Sequence, residues 1–462
     1  MIKLRNSLRI VLASLIFFLL ASCQYDSKKF GEAVRKFDLS KASFSLESND
    51  REVMEPKQEN KTTLSYANFN DQNYKNNIKK ALTQYPQLTS LMLQTKMARS
   101  AVKIAQSRKN LQAATTLQAG VKSENETTEP SAVASVTLGK LLYDFGSSDF
   151  AIDSRRQAAS SAELAELMAV EEVGLQATDA WINLARNQEI ERVFEEGINL
   201  AAPLLGQIKN ISTSGISDKK GLLSAKQKYA NLELAYEQVK SSTIVNRAVF
   251  LNIFQTVEPM SVVSLKPVVV AKKKDSISFS SSYIFQYYDS LIASKKFELE
   301  SLKASIKPQV SINASATVPV ENIQDDGIAL MGLEVAYSFN DGGYKKSQIE
   351  MLTLELESLR AEKNAKLLTL NTDLEVLYQS FLTASKKVKA TQELLDLAVE
   401  VRETAKAQLV SGRSSIQDVM NAEVTLAETK IEMVNSKADA SIASYKILAL
   451  TSSYSDYIGW NE

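Results

Sequence analysis

The sequence predicts a mainly α protein with a smaller β component, elongated and built by duplicating one unit of helix, hairpin and long helix pair. Three observations carry that prediction. Tyr344 to Ser411 contains neither glycine nor proline and is dominated by Leu, Ala, Glu and Lys, so propensity favours one very long helix. The stretch LLYDFGSSDFAIDSRRQAA (Leu141–Ala159) turns from strand-like to helix-like at Gly146, and the join recurs in AYSFNDGGYKKSQIEML (Ala336–Leu352) around Gly342 and Gly343. Each long helix stops at a short glycine turn, STSGISDKKGLLSA (Ser212–Ala225) and LVSGRSSIQDVMNA (Leu409–Ala422).

Composition narrows the chemistry. The 462 residues carry 54 basic and 54 acidic side chains and no histidine. Without Lys3, Arg5 and Arg9 of the leader the balance is 51 against 54. Such a surface argues against nucleic acid as a partner. The commonest general base and metal ligand is missing, and one cysteine excludes an internal disulfide or a cysteine-cluster metal site. No nucleotide motif of the G-x-x-x-x-G-K-[ST] type is present. The reading is therefore not an enzyme, with no cofactor.

Residues 1–22 read as a signal peptide. A basic start precedes the apolar run Ile10–Leu20, whose eleven residues suit a signal core and are too short to span a bilayer. Leu20-Ala21-Ser22-Cys23 resembles a bacterial lipoprotein cleavage box, which implies lipidation of Cys23. Gln24 behind it implies sorting to the outer membrane. Residues 23–75 are charged and rich in Asn, Ser and Lys, and read as a tether.

Two repeats follow, at residues 76–255 and 283–455, joined by a linker at 256–282 and ending in a tail at 456–462. The first opens with a helix over Asn76–Asn110, striped by Leu82, Leu88, Leu91, Met92, Ala98 and Val102. Its counterpart is Tyr283–Ile306. Hairpins pair Leu111–Lys122 with Ala132–Phe145, and Gln309–Val318 with Ile328–Phe339. Alternation is clear in QVSINASATV, where Val310, Ile312, Ala314 and Ala316 oppose Ser311, Asn313, Ser315 and Thr317. The long helices start at Ser147 and Tyr344. The first is softened by Gly174, Gly197, Pro203 and Gly206. Returning helices end near Phe254 and Leu450. Phe145 to Gly215 is 70 positions and Phe339 to Gly412 is 73, which supports duplication.

Strands of this length suit a membrane, which needs about 9–11 residues. Four strands cannot close a barrel, since about eight are required and an open edge in lipid is costly. Two chains would supply eight strands and three chains twelve.

The order of elements resembles the TolC-like outer-membrane efflux and secretion channels over residues 76–455. ALTQYPQL (Ala81–Leu88), KPQVSINASA (Lys307–Ala316), LYDFG, YSFNDGG and SGRSSIQDVMNAE (Ser411–Glu423) carry the resemblance. It implies a homotrimer in which a shared twelve-stranded transmembrane β-barrel, set in outer-membrane lipid, continues into an α-helical barrel across the periplasm. It also implies a periplasmic adaptor and an inner-membrane transporter as partners. The periplasmic gate would lie at the glycine turns. Asp418 matches one of the family's two aspartate rings, and the second position is Asn421. The family's latch residues fall on Leu409, Gly221 and Ser414, so that latch is missing. Adaptor docking would use Ser214, Gly215, Ile216 and Ser217, and Ser411, Gly412, Arg413 and Ser414.

Lys219, Lys220 and Arg413 are near enough in sequence to pair with Asp418. Asp418 also suits the plain role of a carboxylate at a helix start. The function implied is the exit duct of a tripartite efflux or type I secretion system. The alternative is a periplasmic coiled-coil scaffold lipoprotein with no pore.

Overall fold

The computed structural model describes residues 72–124, 127–213, 219–255, 279, 282–319 and 327–460, all within the compact unit Asn60–Glu462. The signal peptide, Cys23, nearly all of the tether, the turn Ser214–Ser217 and most of the linker lie outside them. In chain order the elements are α1 (Gln72–Gln84), α2 (Pro86–Ser107), β1 (Gln112–Glu124), β2 (Thr127–Tyr143), α3 (Ser147–Thr213) and α4 (Lys219–Phe254). The second half follows with α5 (Tyr283–Ala304), β3 (Gln309–Pro319), β4 (Ile328–Ala336), α6 (Tyr344–Val410), α7 (Ile416–Leu450) and α8 (Tyr454–Ile458).

The duplication is in strict register. Second-half landmarks stand 197 positions after their counterparts: Pro86 and Tyr283, Gln112 and Gln309, Ser147 and Tyr344, Lys219 and Ile416. The helix pair α3 and α6 has 67 residues in each copy. This corrects the spacing taken from Phe145 and Phe339, because the true counterpart of Phe145 is Gly342. The expected opening helix is also two helices. Proline at the first position of α2 removes a backbone donor and forces Tyr85 into an extended conformation (φ −75°, ψ 119°), so α1 ends before it. Of the expected stripe, Leu82 and Leu88 are buried, whereas Met92 is exposed.

Both strand-to-helix joints use one local device. Asp144 accepts the N–H of Gly146 on one carboxylate oxygen (3.1 Å) and of Ser148 on the other (2.7 Å). Asp341, 197 positions on, accepts from Gly343 (3.0 Å) and Lys345 (3.1 Å) in the same way. Free N–H groups at a helix start are thereby satisfied by a carboxylate that the helix dipole favours. The glycines take φ of +85° and +86°, which a side chain would resist.

The four strands form one open antiparallel sheet in the order β1-β2-β3-β4. Register gives it two unlike faces. Val310, Ile312, Ala314 and Ala316 pair with Val335, Leu333, Met331 and Ala329, and Ala314 and Ala316 also pair with Leu138 and Val136. The opposite face carries Thr116, Ser135, Thr137, Ser311, Asn313 and Ser315 in the intervening registers, interspersed with Leu141, Ile328 and Leu330, and Asn313 is bonded to Glu334 across strands.

Helices pack in two layers. Next to the sheet, α3 touches α2 and α5, and α5 touches α6, which leaves α2 and α6 as the outer members. Serines seven apart let α3 and α5 approach closely. Ser301 Oγ donates to the Ser147 carbonyl (2.8 Å) and Ser294 Oγ to that of Ser154 (3.0 Å). In the distal layer α3 touches α4 and α7, and α7 touches α6, which leaves α4 and α6 outermost. Lys406 pairs with buried Glu423 (2.6 Å) and Lys430 with Glu196 (3.1 Å) there. The expected soft points do not interrupt α3, which runs through Gly174, Gly197, Pro203 and Gly206.

Gly174 has a packing role. A Cβ on it would come within 2.3 Å of the Tyr454 ring. That ring is fully buried, and its hydroxyl bonds Thr178 Oγ1 (2.7 Å), which in turn bonds Tyr74 (2.5 Å). One turn earlier on α3, the Glu171 carboxylate accepts the N–H groups of Tyr454 and Ser455, both at 3.0 Å. Burial pushes the Glu171 carboxyl up to about 7, against the opposing pull of its hydrogen bonds from Ser455 and Tyr454; Asp456 adds a little to the rise. The last helix is thus keyed into α3.

Candidate functional site at the helix turn

The distal turn of the second half is fully described and is built from local rules. α6 ends at Val410, and Gly412 follows at φ +71°. The N–H of Gly412 bonds the Leu409 carbonyl (3.0 Å), and that of Arg413 bonds Gln408 (2.8 Å), the paired closure of a Schellman motif. Three residues later Ser415 caps α7 in a reciprocal box. Its hydroxyl accepts the Asp418 N–H (3.2 Å), and the Asp418 carboxylate accepts the Ser415 N–H (2.9 Å) and hydroxyl (2.7 Å). Ser414 Oγ adds a longer bond to the same oxygen (3.3 Å).

These bonds, led by the Ser415 hydroxyl and its backbone N–H, hold the Asp418 carboxyl below its ordinary value. The side chain remains exposed and ionised. Asp418 makes no ion pair with Lys219, Lys220 or Arg413 among the described residues. A carboxylate already at a helix N-terminus has N–H donors within one turn, and they satisfy it before any longer-range cation does.

Asp418, Asn421, Arg413 and Ser414 share one groove of about 870 Å³ between α6 and α7, opposite Glu400 and Gln408. Asn421 is held from outside that pair: Lys228 on α4 donates to its side-chain oxygen (2.9 Å). The other two positions do not join the groove. Leu409 packs against the cluster of Ala405, Val419 and Ala422 together with Leu204. Gly221 faces Gln417, whose amide oxygen would lie 2.7 Å from an added Cβ. The turn of the first half, with Ser214–Ser217, lies outside the described residues.

Several residues that matter were not singled out from the sequence. Asp144 and Asp341 were legible in retrospect as Asp-x-Gly ahead of a helix. Ser415 was legible as Ser-x-x-Asp. Lys228 and Glu171 had no sequence signal, because their partners lie 193 and 283 positions away. Among the described residues no cluster of His, Cys, Asp and Glu suits a metal ion, and no helix is long and apolar enough to cross a membrane.

Residues 300–453, covering β3, β4, α6 and α7, match the family model of outer membrane efflux proteins. No curated protein sequence matches significantly. Among solved structures, the outer membrane protein VceC of Vibrio cholerae superposes with a TM-score of 0.70 at 14% identity, covering 83% of this chain and 97% of that one. The CmeC outer membrane channel of Campylobacter jejuni gives 0.68 at 12%, over 83% and 86%. The open state of the MtrE outer membrane channel of Neisseria gonorrhoeae gives 0.70 at 11%, over 82% and 89%. Residues 300–453 thus resemble an outer membrane efflux protein domain, and the chain shares the fold of these outer-membrane channels.

Proposed function

We propose that copies of this chain close into a ring that serves as the outer-membrane exit duct of an efflux system. The observation that carries the reading is a coincidence of open edges. In the sheet the unpaired edges are β1 and β4, in the upper helical layer α2 and α6, and in the lower layer α4 and α6. In each layer one edge belongs to the first half of the chain and the other to the second. Copies set side by side in one rotational sense would satisfy all three together, which is the geometry of a closed cyclic ring. Exposed apolar side chains stand along the helical edges, including Met97 and Ile104 on α2, Leu234 and Val245 on α4, and Leu354 and Leu368 on α6. A sheet mostly apolar on one face and mixed on the other, where Thr, Ser and Asn stand beside Leu141, Ile328 and Leu330, suits a barrel wall between lipid and water.

Three copies would give twelve strands, and Cys23 would add a lipid anchor. Transport is then conduction through a water-filled bore, which spares polar cargo the cost of entering lipid. Energy and cargo choice come from a periplasmic adaptor and an inner-membrane transporter, docked at the turns around Gly215 and Gly412. Those partners decide between tripartite efflux and type I secretion. Asp418 would set a ring of carboxylates at the narrow end, favouring cations.

The test is the full-length protein in detergent and in planar bilayers. The expected result is an oligomer that resists SDS until heated and conducts with cation preference, weakened by Asp418→Ala. A heat-insensitive helical monomer without conductance would instead identify the pore-less scaffold. Conductance with selectivity untouched by Asp418→Ala would remove the gate assignment alone.

A further inference from the structure

At the foot of the sheet, where it meets the helices, the apolar face ends in a cluster that its packing does not require. β2 carries a bulge between Leu141 and Tyr143 against β3. Lys140 pairs with Ile312, and the extra residue brings Tyr143, rather than Leu142, opposite Val310. Ile312 and Val310 belong to the apolar face, so ordinary register sets Lys140 on that side and the bulge brings Tyr143 there as well. Tyr143 then packs on Phe145 with ring centroids 4.8 Å apart. Lys307, just ahead of β3, sets its ammonium 5.2 Å from the Phe145 centroid. Tyr143 is 56% exposed in this chain, and Lys140 is exposed as well. Two cations and two rings thus stand on the outer side of the sheet, immediately below its apolar band.

The nearby carboxylates are engaged elsewhere. Asp144 and Asp341 cap the joints, Asp149 pairs with Lys109 (2.6 Å), and Glu334 lies on the opposite face. We infer that Lys140, Tyr143, Phe145 and Lys307 form a binding site for the headgroup of an anionic phospholipid. This rests on the channel reading above, which sets the apolar face in lipid. Aromatic rings favour the level of the headgroups, and ammonium groups held there attract their phosphates. A net negative headgroup is selected over a zwitterionic one because no free carboxylate of the cluster meets a choline.

The experiment uses the full-length oligomer reconstituted in vesicles of equimolar phosphatidylglycerol and phosphatidylcholine. Native mass spectrometry then counts each lipid retained after release into mild detergent. Two lysines at a membrane surface correspond to about fivefold each, or about 25-fold in favour of phosphatidylglycerol. Lys140→Gln with Lys307→Gln should bring retention close to parity, as should raised salt for the wild type. Both side chains lie outside the core, and an SDS-resistant oligomer of the double variant confirms that it folds. Equal retention of both lipids by the wild type overturns the site, as does an undiminished preference in the double variant. A protein that stays in the aqueous fraction and retains neither lipid removes the channel reading as well.

Discussion

Glu171→Gln is the sharpest test of how the last helix is held. The carboxyl keeps its proton up to about pH 7 when buried against α8, and its ordinary value is 4.5. The raised native value means that the neutral form is the one the fold favours. Its stabilising contribution is therefore complete below pH 4.5 and is lost as pH rises from there to about 7. At about 1.4 kcal/mol per pH unit, the whole loss is about 3 kcal/mol. The residue is 4% exposed, so solvent screening takes little from that figure. Glutamine keeps one acceptor for the Tyr454 and Ser455 N–H groups and cannot ionise.

The assay is hydrogen exchange of those two amides at pH 5 and pH 8, taken as the ratio of wild type to variant so that intrinsic exchange cancels. The opening constant of the wild type should rise by about two orders of magnitude relative to the variant across that range. Parallel pH dependence in the two proteins would refute the reasoning, because it would mean that Glu171 is ionised in the native state throughout.

Other outcomes follow from the same contacts. Gly174→Ala should lower stability by about 1–3 kcal/mol, read by thermal unfolding, because its Cβ would press on the buried Tyr454 ring, and Tyr454→Leu in the same background should restore part of it. Asp418→Ala should cost about 1 kcal/mol through loss of the capping box, and Asp418→Asn less, measured by denaturant unfolding of the helical signal. With the Asp418 carboxyl held below its ordinary value, cation preference in bilayers should persist as pH falls to 4; loss of preference above pH 5 would contradict the bonds drawn to Ser415. Asp144→Ala and Asp341→Ala should each destabilise by a similar amount, about 1 kcal/mol, since the two joints are copies of one cap.

What the sequence determined by itself was whatever depends on neighbours along the chain. The length of α6, the joints at Gly146 and Gly343, the Gly412 turn and the alternation of β3 all follow from propensity, caps and φ preferences acting within about five residues. The departures from expectation are local in kind too: Pro86 splits the opening helix by the ordinary proline rule, and Phe145 aligns with Gly342, three positions beyond Phe339. Only the tertiary structure decided which helices touch. Asn421 meets Lys228, Gly221 receives Gln417, Gly174 admits Tyr454, and Glu171 closes on the start of α8. Each of these pairs joins elements far apart in sequence, and their chemistry depends on burial and approach distance. Those are properties of the packed helices, and no single segment encodes them.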